Sequence, residues 1–142
     1  QCDWSSDVCS SDLHMTLLFL GEVARTRIAQ LQQLAAACAA QPFELCLDKT
    51  GRWSRQQLVW IAPQAAPPAL NALVATLTSA LRAQGFKLED RAWRPHVTLL
   101  RDAPATADLP QASMRWAAGD FVLVESSRGE YRVIGRWNLK AA

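Results

Sequence analysis

The sequence predicts an α+β fold built on antiparallel sheet. Two stretches carry apolar residues at helical spacing, and several short apolar or alternating runs are bounded by Gly and Pro. Their order is strand, helix, strand, strand, helix, strand, then a hairpin, which lacks the regular βαβ alternation of a parallel sheet. At 142 residues the chain fits one domain with a core of its own. Half of it is apolar, and no run reaches the length of a membrane span.

The elements follow in order. From His14 to Leu20 the residues are apolar enough for a short strand, closed by Gly21. Arg25 to Gln41 carries Ile28, Leu31, Leu34, Ala35 and Cys38 at helical spacing, and Pro42 marks its end. Phe43, Leu45 and Leu47 alternate with polar residues, as in a half-buried strand running towards Gly51. Leu58 to Ile61 is a second apolar strand, stopped by the loop from Pro63 to Pro68. The strongest helix runs from Pro67 to Gln84, with Leu70, Leu73, Val74, Leu77 and Leu81 in one stripe, proline in front and Gly85 behind. His96 to Leu100 is strand-like again. The tail GDFVLVESSRGEYRVIGRWNL predicts a β-hairpin turning near Arg128-Gly129.

Gln1 to Leu13, QCDWSSDVCSSDL, differs from the rest. It is rich in Ser and Asp, has no helical or strand period, and lacks the basic start and apolar middle of a signal peptide. It resembles the translation of a sequencing adapter, and we expect a non-native leader over 1–13 and the folded domain over 14–142. Three of the thirteen acids lie in that leader, which leaves 15 basic and 10 acidic residues, net +5. This charge suits a phosphate-bearing partner. Cys2 and Cys9 fall in the leader, Cys38 and Cys46 in helix- and strand-like runs. No C-x-x-C spacing occurs, so buried free thiols in a reducing cytoplasm are expected, with no metal site.

Chemistry enters with the histidines. The chain has two, and both stand in the frame His-x-Thr-Leu-Leu: HMTLLFLG from His14 and RPHVTLLRD around His96. With seven threonines in 142 residues, chance sets Thr two positions after both histidines about once in 400 sequences of this kind. A lone histidine would be read as a satisfied partner at a strand end, but the repeat argues for a shared task.

Residues i and i+2 of a strand face the same way. His14 with Thr16, and His96 with Thr98, would each present an imidazole beside a hydroxyl. Two lobes, each offering one such strand to a shared cleft, would bring the histidines face to face. That set suits in-line attack on a phosphodiester. One neutral imidazole takes a proton from water, and one imidazolium protonates the departing oxygen. The threonine hydroxyls donate to the non-bridging phosphate oxygens. This scheme needs no metal, and no carboxylate cluster that would hold one is evident. Arg101, five residues after His96, adds a cation matched to phosphate, although an ordinary solvated arginine explains its position equally well.

HMTLLFLG and RPHVTLLR resemble the paired motifs of the two-histidine phosphoesterases, specifically the LigT-like bacterial RNA 2',3'-cyclic phosphodiesterases. GRWSRQQLVWIAP, RAWRPHVTLLRD and LVESSRGEYRVIGRW resemble their counterparts in the same order, so the likeness runs from His14 to about Leu139. The resemblance implies a bilobal fold, two antiparallel sheets flanking a central cleft with outer helices, and a first strand and helix missing here. It implies metal-independent hydrolysis of an RNA 2',3'-cyclic phosphate to a 2'-phosphomonoester, without cofactor. His14 would be the acid at the 3' oxygen and His96 the base. Thr16, Thr98 and Arg101 would hold the substrate, an RNA end or nucleotide bearing the cyclic phosphate. Joining of RNA ends through a 2'-5' linkage is the related activity. The protein is expected in the cytoplasm as a monomer, or as a dimer through a sheet edge that the missing strand would expose.

Two rival readings remain. Trp53, Trp60, Trp93, Trp116 and Trp137, near Arg52, Arg55, Arg91 and Arg94, would give an RNA-binding module stacking faces, although tryptophan in apolar strands is more often core. The other is an inactive or weakly active fragment.

Overall fold

The computed structural model describes residues 13–104, 109, 111 and 113–140. Apart from Leu13, the expected leader lies outside the described residues. A 3-10 turn, Arg25–Arg27, leads into helix α1, Ile28–Ala37. Then come strands β1 (Phe43–Leu47), β2 (Lys49–Trp53) and β3 (Leu58–Ala62), helix α2 (Pro68–Ala83) and strand β4 (Val97–Leu100). Strands β5 (Met114–Ala118), β6 (Asp120–Ser127) and β7 (Glu130–Asn138) complete the chain. The sheets are β1-β5, β2-β3-β4 and β6-β7, with antiparallel pairing throughout the second and third. This is the α+β class that the element order predicts.

The chain divides into two compact units. The first holds residues 13–17, Leu45–Ala66 and Ala92–Trp116. Its β2 and β3 run in register from Lys49 opposite Ala62 to Trp53 opposite Leu58, and β3 pairs on its other side with β4. Val59, Ile61 and Val97 turn to the core face and are almost fully buried, as are Leu45 and Leu47. Beyond β4 the chain adds one antiparallel bridge, Met15 to Val97.

The second unit holds Leu18–Glu44, Pro67–Arg91 and 117–140. In α2 all five residues of the predicted stripe, Leu70, Leu73, Val74, Leu77 and Leu81, are buried. Pro68 at the first helical position costs no hydrogen bond there. At the other end Phe86 N–H returns to the Leu81 carbonyl and Gly85 N–H to that of Arg82, a Schellman closure. Its usual apolar contact is present, because Leu81 and Phe86 share a core cluster with Leu31. Arg27 lies 3.7 Å over the Phe86 ring and donates to the Gln84 carbonyl, so the 3-10 turn caps the same corner. In the hairpin, Arg128 and Gly129 take positive φ between Ser127 and Glu130, the two-residue turn whose twist suits paired strands.

Four sequence expectations need correction. Of the two thiols expected to be buried, Cys46 on β1 is exposed and Cys38 is only half-buried. The run from His14 to Leu20 is not a strand, since only Met15 pairs. Its Leu18 and Leu20 pack against the Leu31–Leu81–Phe86 cluster instead. Helix α1 stops at Ala37, short of Gln41. Cys38 turns to an extended conformation, and the Ala40 carbonyl accepts from Lys140 N–H rather than from a further helical turn. Finally, the two His-x-Thr segments do not come from two lobes. Both belong to the first unit.

Candidate active site

The bridge between Met15 and Val97 orders the site. Antiparallel register sets the flanking residues opposite one another, so His14 stands across from Thr98 and Thr16 across from His96. Paired residues share a face and neighbours along a strand alternate. Met15 and Val97 therefore face one way, and Val97 is 4% exposed in the core. The two histidines and two threonines face the other way. Their accessibility agrees: His14 and Thr16 are exposed, His96 and Thr98 half-buried. Imidazole and hydroxyl alternate both along and across the pair of segments.

On that face His96 is held by its own backbone. Its Nδ1 lies 2.8 Å from the Arg94 carbonyl. A carbonyl oxygen only accepts, so Nδ1 carries the proton, and Nε2 is the nitrogen left to take up or release one. The neighbouring indole of Trp53 meets the imidazole edge-on, with ring centroids 4.5 Å apart and planes at 71°. Trp60 pairs with Thr98 on β4 and with Gly51 on β2, which places its ring on the same face. Gly51 leaves that ring its space, because a Cβ there would overlap the six-membered part of the indole. Trp93 completes the frame, its Nε1 donating to the Thr16 carbonyl at 3.1 Å.

Arg101 follows β4 directly and is exposed. Behind it Asp102 takes a φ of 52°, and Ala103 N–H donates to the Gln57 carbonyl in the β2–β3 turn at 2.9 Å. Arg52 reaches the Pro104 carbonyl at 2.8 Å. The loop is thus fastened just beyond Arg101 rather than at it. In the first unit, the described cations are Lys49, Arg52, Arg55, Arg94, Arg101 and Arg115, against Asp48 and Asp102. Among the described residues, cations therefore outnumber acids on the unit that bears both motifs. Among the described residues no three His, Cys, Asp or Glu lie close enough together to hold a metal ion, and no helix is long and apolar enough to cross a membrane.

Of the tryptophans offered as stacking faces, Trp53 and Trp60 pack on each other at 5.5 Å, and Trp137 packs on Phe121 at 5.6 Å. Trp116 is exposed. Arg91 is tied to Glu89. The strand that the sequence predicts runs only towards Gly51, so the contact of Trp53 with His96 is not foreseen by it. The available signal was period two: Gly51 and Trp53 share a face, and Gly51 marks a close approach.

These features can be set beside known proteins. A family model, the 2'-5' RNA ligase superfamily, matches residues 8–130. The RNA 2',3'-cyclic phosphodiesterase of Escherichia coli K12 is 36% identical over 138 residues, covering 93% of this chain and 78% of that one. Its namesake from Geobacillus stearothermophilus is 33% identical over 132 residues, covering 84% of this chain and 42% of the relative. A crystal structure of Escherichia coli LigT complexed with 3'-AMP superposes with a TM-score of 0.83 at 34% identity, covering 94% of this chain and 80% of that one. The chain belongs to the 2'-5' RNA ligase superfamily and has the LigT fold.

Proposed function

We propose that this protein hydrolyses RNA 2',3'-cyclic phosphate ends to 2'-phosphomonoesters, without a metal ion, using His14 and His96 as acid and base. The single observation that carries the reading is the register at Met15 and Val97, which sets each histidine opposite the other motif's threonine on one face. Two relatives above 30% identity bear the name of this activity.

In the proposed step His96, neutral and with Nε2 unprotonated, takes a proton from water as its oxygen attacks phosphorus. The P–O3' bond breaks, and His14, as imidazolium, gives its proton to O3'. The product is a 2'-phosphate beside a free 3'-hydroxyl, and the two histidines exchange protonation states. Thr16 and Thr98 donate to the non-bridging oxygens, where charge collects in the transition state. Arg101 adds a cation on the phosphate side, matched to phosphate geometry. An RNA 5'-hydroxyl in place of water would form a 2'-5' linkage by the same step.

Incubation with cytidine 2',3'-cyclic phosphate in EDTA tests the reading. Phosphorus NMR should show the 2'-phosphate accumulating. Appearance of the 3'-phosphate instead would reverse the assignment of the leaving oxygen, and no turnover until a divalent metal is added would refute metal independence.

A further inference from the structure

His96 is restrained at Nδ1 by a carbonyl only two residues away. One hydrogen bond leaves a ring free to swing about that contact, so the direction of Nε2 depends on what meets the ring elsewhere. Trp53 meets it. The separation of 4.5 Å and the T-shaped geometry lie at the close end of favourable aromatic pairing. Behind Trp53 stands Trp60, and behind Trp60 stands Gly51, whose missing side chain is what admits the ring. Trp60 is retained here at a cost, because its Nε1 is buried with no hydrogen-bond partner among the described residues. A ring kept in place despite an unsatisfied N–H is kept for its shape.

We propose that Trp53 is a positioning residue for His96, orienting the imidazole so that Nε2 addresses the phosphate, and that Trp60 seated across Gly51 holds Trp53 against it. The inference rests on the reading of His96 as a proton-transfer group. It assigns Trp53 a task different from stacking a nucleobase, which would use a ring face open to substrate.

Trp53→Ala and Trp53→Phe separate the possibilities, with Gly51→Ala as a variant that reaches Trp53 through Trp60. With a nucleoside 2',3'-cyclic phosphate, Trp53→Ala should lower kcat by about tenfold or more with KM within about twofold of wild type, as small displacements of a catalytic group do. Trp53→Phe keeps an aromatic edge and should recover most of the rate. Gly51→Ala displaces Trp60 and should lower kcat in the same way. The chain has two histidines, so 15N NMR reports His96 with His14 beside it as an internal control. Wild type should show the Nδ1–H form at His96, and Trp53→Ala a mixture of tautomers, with His14 unchanged. A rise in KM at constant kcat would make Trp53 a substrate platform and overturn the proposal. So would unaltered His96 nitrogen signals in Trp53→Ala. If Trp53→Ala does not fold, Gly51→Ala and Trp53→Phe still decide: wild-type kcat and wild-type nitrogen signals in Gly51→Ala refute the buttress. If wild type itself turns over no cyclic phosphate, the proposed function fails, and the tautomer measurement alone decides the positioning.

Discussion

Met15 pairs with Val97 in an isolated antiparallel bridge, and the pair turns its side chains away from the candidate active face. The four polar residues beside it owe their arrangement to that pairing. A one-residue slip of the Met15 segment would send His14 and Thr16 to the opposite face and leave His96 and Thr98, held by β3, where they are.

The threonine hydroxyls supply donors where negative charge develops. Thr98→Ala should lower kcat by about a hundredfold to a thousandfold, the range seen when one such donor is lost. Thr98→Ser keeps the hydroxyl and should stay near wild type. Steady-state rates with a cyclic phosphate substrate make the comparison. Equal rates for the two variants would remove the hydroxyl from the mechanism.

An acid and a base that work together must hold opposite protonation states at the same moment. A plot of kcat/KM against pH should therefore be bell-shaped, falling on both sides of an optimum. A profile with one limb would mean that a single titrating group governs the reaction.

Leu73 on α2 is 1% exposed. Leu73→Ala should cost about 2–5 kcal/mol, the transfer of the removed atoms plus the cavity they leave. Urea unfolding measures it. A loss below about 1 kcal/mol would place Leu73 at a site that collapses freely around smaller side chains.

Burial pushes the Cys38 thiol up from its ordinary range. The folded state thus favours the protonated thiol. Its contribution to stability is complete at pH values below the titration of the unfolded thiol and is lost as pH rises through the folded value. The urea midpoint of wild type should fall across that alkaline interval more steeply than that of Cys38→Ala. Parallel decline would assign the loss to other groups.

Much of this was legible from residues. The α2 stripe, its proline start and the Arg128-Gly129 turn are local signals, and each was decided by its own residues. The paired motifs were visible as a repeat. Their juxtaposition in one unit was not, because only the register at Met15 and Val97 expresses it. Lys49–Trp53 has no apolar alternation, and Met114–Ala118 is exposed until Ala118. Both are strands because of their neighbours across the sheet. At Leu18 and Leu20 the apolar character serves helix packing rather than a strand. Period alone does not separate those uses. Trp53 joins the site because β2 continues past Gly51, where the predicted strand ends.

The proposed pairing of His14 with His96 as acid and base is read out by a double-mutant cycle. Rates of cyclic phosphate hydrolysis in EDTA would be compared for wild type, His14→Ala, His96→Ala and the double variant, each checked for its fold by circular dichroism. Each single change should lower kcat by about a hundredfold to ten-thousandfold. The double variant should be little worse than the poorer single, because half of a pair retains almost none of its effect. Losses that simply multiply, or either single variant working at the wild-type rate, would contradict it.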